Sequence, residues 1–215
     1  MLSQHLYPAF FRILNLVGPL GELWIVLPIA AALGIWCFVS GERRGALVII
    51  GVTIGVLSIT VFLKLLSMLN APLLQPYWQY ISHLFPSGHV AMGTVVYGAL
   101  VVCVSRSLPA LTKILAVITV VVVVLLGVQR IVSDVHPIFD VLGGAMLGSV
   151  GLVAMVRLWP DGKLRVIGFP AVVMAVIITL AIFYGREVPS SQMIESASIR
   201  IHTMLDAVKS ALSKS

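Results

Sequence analysis

Six apolar stretches, each close to the ~20 residues that a helix needs to cross a bilayer, dominate the chain. They are Leu23–Ser40; Gly45 to about Leu69, uncharged until Lys64; Gly88–Ser105; about Pro109 to Val128, with Lys113 near its start; Pro137–Val156, which contains Asp140; and Val166–Tyr184. Uninterrupted runs of this length exceed the pattern of a buried soluble helix. The expectation is an all-α, polytopic membrane helix bundle of about six transmembrane helices. The run Val120–Val124 favours strand in water. In lipid only helices and closed barrels satisfy the backbone, and this run does not alternate, so helix is expected there too.

Composition excludes the competing classes. Charged residues make up 10% and hydrophobic residues 60% of the chain, whereas soluble domains carry roughly 25% charge. A soluble globular enzyme, a disordered chain and a charge-driven nucleic-acid binder are therefore set aside, and no nucleic-acid partner is expected. The net charge of +6 reports topology and contact with anionic lipid. Cys37 and Cys103 both lie in apolar runs and are expected to be buried structural thiols. The N-terminus lacks a basic region followed by a cleavage site, so no removable signal peptide is expected.

The organisation follows. Residues 1–22 read as an interfacial lead-in, residues 23–185 as the transmembrane bundle, and residues 186–215 as an extramembrane tail. In the tail, Ser190 or Ser191 can cap a helix on which Ile194, Ala197, Ile201, Leu205, Val208 and Leu212 share one face. Such an amphipathic helix lies on the membrane, on the bundle or on a partner of unknown identity. The basic loops carry Arg43 and Arg44, then Arg106 and Lys113, then Arg157, Lys163 and Arg165, and are expected on the cytoplasmic side. Residues 70–87, without Lys or Arg, and residues 129–136, with Arg130 alone, are expected outside, together with both termini. This makes the chain a multi-pass protein of the inner (plasma) membrane.

That topology gathers polar groups at one face. Lys64 falls near the end of the second segment, Pro86-Ser87-Gly88-His89 opens the third, Arg130 closes the fourth, and His136-Pro137 opens the fifth, one turn before Asp140. Helix N-termini at Ser87 or Gly88 and at Pro137 offer free N–H groups to an anion. Lys64 and Arg130 add positive charge, and arginine can fork onto two phosphate oxygens. His136 and Asp140, four residues apart, share a helix face. The carboxylate can then hold one imidazole nitrogen and leave the other free to attack. His89 supplies a second imidazole as a general acid. Phosphoryl transfer needs nothing more from these groups, and no metal or other cofactor is implied.

Blander roles exist for each residue taken alone. Lys64 could snorkel to the interface, and His136 could be an interfacial polar residue. His5, His83 and His202 match no motif and are assigned to surface or loop roles. Asp134 is expected at most to pair with Arg130. Gly144 and Gly148 are expected to serve close helix packing. Tyr77, Trp78 and Tyr80 fit an aromatic interfacial belt or, alternatively, a lipid entrance.

The set resembles the type 2 phosphatidic acid phosphatase family of membrane phosphatases, which is related to vanadium haloperoxidases and bacterial acid phosphatases. The family's first motif, Lys-x6-Arg-Pro, reads here as Lys64 through Ala71-Pro72; its second is met in full by Pro86-Ser87-Gly88-His89; its third, Ser-Arg-x5-His-x3-Asp, reads Gln129-Arg130, His136 and Asp140. The resemblance covers about residues 45–158. It implies that His136 is the nucleophile that forms a phosphohistidine, that Asp140 orients it, and that His89 protonates the leaving group and then activates water. It further implies that Lys64, Ser87, Gly88 and Arg130 bind the phosphoryl oxygens. The implied substrate is a membrane lipid phosphate: undecaprenyl diphosphate first, then phosphatidylglycerol phosphate, phosphatidic acid or lipid A phosphate. The sequence departs from the family at Ala71 and Gln129. Loss of the first-motif arginine keeps a non-hydrolytic lipid-phosphate binder or transporter as the alternative.

Overall fold

The computed structural model describes residues 8–70, 81–82, 84–166 and 169–184, without the side chain of Ala171. Ala71, Tyr77, Trp78, Tyr80, His5, His83, His202 and the whole tail from residue 185 lie outside the described residues. Among the described residues the α-helices are α1 (Pro8–Val17), α2 (Leu23–Val39), α3 (Arg43–Leu69), α4 (Gly88–Ser107), α5 (Thr112–Val132), α6 (Ile138–Leu158) and α7 (Phe169–Phe183). Short 3-10 turns, Gly18–Gly21 and Pro109–Leu111, precede α2 and α5. No strand occurs among the described residues.

Four of these helices are long and apolar enough to cross a membrane, or five if the bent pair α1–α2 is one span. The last apolar segment forms α7, of 15 residues; at 1.5 Å per residue it reaches about 22 Å, less than the roughly 30 Å of a hydrocarbon core. Among the described residues, length and apolar content thus support four or five of the about six spans expected. α1 and α2 meet at 55°. The bend sits at Gly18-Pro19 and at Glu22, whose extended φ −69°, ψ 143° interrupts the helix. α1 turns Phe10, Ile13 and Leu16 outward and buries Leu14, the pattern of an interfacial helix.

α4 is the central helix, with α2, α3, α5 and α6 packed around it. Its partner α6 approaches closely because Gly144 and Gly148 face it, as expected from their spacing. A Cβ at Gly144 would lie 2.4 Å from the carbonyl oxygen of Ser87, and one at Gly148 would lie 2.6 Å from that of Ala91. Gly144→Ala must therefore push α6 off the start of α4, and overpacking of this kind costs about 1–3 kcal/mol. The expected result is a lower melting temperature in detergent; an unchanged melting temperature would refute the close packing. α5, which carries the valine run, is helical and turns Val117, Val120, Val121 and Val124 outward.

α3 buries one face along its whole length: Gly45, Ile49, Thr53, Val56, Thr60, Lys64 and Met68. Lys64 thus points into the bundle. At the opposite end of α4, the Arg106 guanidinium lies 3.7 Å from the Trp159 ring and donates to the Trp159 carbonyl. The indole N–H of Trp159 donates to Glu42 at 3.2 Å. This staple holds the end from which the basic loops emerge. Cys37 and Cys103 are both buried and unbridged.

Candidate active site

The structure brings the seven residues singled out from sequence to one end of the bundle. His136 is held first by the turn before α6, where its backbone N–H and that of Val135 both donate to the Arg130 carbonyl at 3.2 Å. Pro137 is the N-cap of α6 rather than its first helical residue, which places Asp140 in the first turn. There a carboxylate is favoured by the helix dipole. His136 Nδ1 lies 2.8 Å from Asp140 Oδ2, and both side chains are buried. A carboxylate only accepts, so Nδ1 carries the proton and Nε2 keeps its lone pair.

Ser82 completes the Asp140 environment and was not singled out from sequence. Its backbone N–H donates to Oδ1 at 3.0 Å, and its hydroxyl donates to Oδ2. The loop before α4 is tied to the same helix turn by Ser87 N–H, which donates to the Asp140 carbonyl at 2.9 Å. One acidic residue thus anchors His136 and the Pro-Ser-Gly-His turn together.

Ser87 is the N-cap of α4, yet its side chain makes no capping bond. Its Oγ is buried and has no hydrogen-bond partner among the described residues; the same holds for Nε of Arg130. A buried polar atom without a partner is costly unless a ligand satisfies it, and a phosphoryl oxygen matches both donors. The Lys64 arm runs beside Gly88, where an added Cβ would sit 3.8 Å from Cε. Lys64, Arg130 and Asp140 lie within coulombic range of His136, and Lys64 and Arg130 within range of His89. Asp134 is exposed in a left-handed turn, φ 54°, and forms no ion pair with Arg130 among the described residues.

A second residue missed from sequence is Glu22, whose Oε1 lies 2.9 Å from His89 Nε2. A signal was available. Glu22 is one of only 8 acidic residues in the chain, and it sits at the head of an apolar segment on the same face as the site. Gln129, in the position of the family serine, donates to Ser133 Oγ at 3.1 Å and packs against Gly18.

An all-helical bundle with spans of membrane length and a buried imidazole–carboxylate pair at one end defines the chain as a membrane helix bundle with a polar cluster inside it. Residues 69–164 match the family model of the PAP2 superfamily; Lys64 lies outside that stretch. The chain is also similar to phosphatidylglycerophosphatase B of Bacillus subtilis (strain 168), at 39% identity over 67 residues. That match covers 30% of this chain and 33% of the relative. No solved structure matches the chain.

Proposed function

We propose that the protein is a membrane lipid phosphatase that transfers the terminal phosphoryl group of a lipid phosphate first to His136 and then to water. The observation that carries this reading is the buried His136 Nδ1–Asp140 pair, which leaves Nε2 free beside two cations and an unpartnered serine hydroxyl. In the first step the Nε2–P bond forms, the P–O bond to the lipid breaks, and His89 gives its proton to the leaving oxygen. In the second, water attacks phosphorus, the P–N bond breaks, and His89 takes the proton of the attacking water. Lys64, Arg130, Ser87 and the backbone N–H at Gly88 hold the phosphoryl oxygens and offset the charge that builds on them, a contribution commonly worth several kcal/mol. No metal is needed for either step.

The name of the Bacillus relative supports testing phosphatidylglycerol phosphate first, together with undecaprenyl diphosphate. Phosphatidic acid and lipid A phosphate come next. In the proposed topology the site faces the periplasmic side of the inner membrane, because the basic loops lie at the other end. Purified protein incubated with these lipids in EDTA is expected to release inorganic phosphate from at least one of them. Binding of a lipid phosphate without release from any would overturn the enzyme reading in favour of a lipid-phosphate binder.

A further inference from the structure

We propose that Glu22 is the positioning residue of His89, so that the site contains two carboxylate–imidazole pairs, Asp140–His136 for attack and Glu22–His89 for proton transfer. The inference rests on the phosphatase reading for its kinetic meaning and on geometry for its existence. Glu22 Oε1 and His89 Nε2 are 2.9 Å apart, and each side chain is only 17% exposed. Because the carboxylate accepts, Nε2 is the protonated nitrogen. Nδ1 is then the ring nitrogen that exchanges a proton with the leaving oxygen and with water.

The ordinary role for an acidic residue at this position is to cap its own helix. Glu22 is the N-cap of α2, and its carbonyl accepts from Ile25 and Val26 at 2.9 and 3.0 Å, but its side chain makes no capping bond. The carboxylate is directed to His89 instead. The segment that carries it is built to stay there. The Tyr97 hydroxyl donates to the Leu20 carbonyl at 2.6 Å, and the Tyr184 hydroxyl donates to that of Leu16 at 2.7 Å. Gly21 presses on the imidazole so closely that a Cβ would meet His89 Cδ2 at 2.9 Å. One flank of the ring is thus walled by backbone and one nitrogen is held by the carboxylate, so few ring orientations remain.

The charged groups facing His89 are Glu22 from the turn before α2, Lys64 from α3 and Arg130 from α5. A general acid must carry its proton when substrate binds, and of these three groups only the Glu22 carboxylate can accept a ring N–H. In the transfer step His89 gives the Nδ1 proton to the leaving oxygen and keeps Nε2–H on Glu22. In the hydrolysis step Nδ1 takes a proton from water, and the ring returns to its starting state.

Two measurements on the full-length protein test this. The first, 15N spectra of histidine-labelled protein with His89 assigned by a His89→Gln control, needs no turnover. Wild type is expected to hold the Nε2 proton on His89, and Glu22→Gln to lose that fixed tautomer. A bare Nε2 in wild type, or an unchanged His89 signal in Glu22→Gln, would overturn the pair. The second is the pH profile of phosphate release from phosphatidic acid. Glu22→Gln, which keeps side-chain length and the capping carbonyl, is expected to lower kcat roughly 10- to 100-fold, part of the 10²–10⁴ that a general acid supplies. KM is not expected to rise, and the basic limb of the kcat profile is expected to move to lower pH. A rise in kcat/KM would overturn the proposal and make Glu22 a competitor of the phosphate. If wild type releases no phosphate from any lipid while the tautomer result holds, the phosphatase reading fails and the Glu22–His89 pair stands.

Discussion

Replacing His136 with alanine is expected to reduce lipid phosphate hydrolysis to background while the protein remains folded. As the proposed nucleophile, His136 is the one group whose removal leaves the first step without a bond-forming partner, so a loss of about 10⁴-fold or more is expected. The fold should survive because the His136 ring lies in the turn before α6 rather than within the hydrophobic core. A melting temperature close to wild type with no phosphate release is the supporting result; substantial residual turnover would remove His136 from the nucleophile's role. The wild-type pH profile carries a related expectation. Burial pushes the His136 imidazole below its usual range, the hydrogen bond to Asp140 pulls against it, and Lys64 pushes the same way as burial. A lowered value means that the neutral, attacking form persists into mildly acidic solution. The acid limb of kcat/KM is therefore expected below pH ~6.5, the ordinary histidine value, and activity is lost only as the pH falls through it.

Asp140→Asn should come close to that loss by a different route. Oδ1 accepts from the backbone N–H of Ser82, and Oδ2 accepts from the Ser82 hydroxyl and from His136 Nδ1–H. An asparagine keeps one oxygen. If it stays against Ser82 N–H, the amide NH2 faces Nδ1, and the His136 proton must move to Nε2, which removes the attacking lone pair. If the amide is reversed, NH2 faces a backbone N–H and neither is satisfied. The wrong tautomer in a comparable imidazole–carboxylate arrangement costs about 10⁴-fold in rate, and a loss of 10³- to 10⁴-fold is expected here. A 15N spectrum showing His136 with the proton on Nε2 would locate the cause. Full activity in Asp140→Asn would show that the carboxylate does not set the tautomer.

Much of this site is written in local spacing. His136 and Asp140 are four residues apart, so any helix or helix N-terminus brings them to one side. Ser87 and His89 flank one helix start, and Lys64 stands on the inward face of α3, where Gly45, Ile49, Val56 and Thr60 recur with it. Helical periodicity alone carries these relations. The span count was less legible. Hydropathy reports apolar content, but α2 is joined to α1 through a bend, and that outcome depends on where turns interrupt an apolar run.

The partners of the site residues were not legible for a related reason. Ser82 and Asp140 are 58 residues apart, and Glu22 and His89 are 67 apart. No period or motif spacing connects such positions. Glu22 meets His89 because Tyr97 and Tyr184 pin the Leu16–Leu20 segment, and because Gly21 lets backbone touch the ring. Ser82 meets Asp140 because Gly144 lets α6 close on the start of α4.

The sequence by itself thus determined a membrane helix bundle and the order and spacing of the polar side chains at one of its ends, because apolar run length and helical repeat act over a few turns of one segment. Only the tertiary structure decided which nitrogen of His136 is free, what holds Asp140, and that His89 has a carboxylate of its own. Those are properties of contacts between distant segments, and they exist only once the helices have packed.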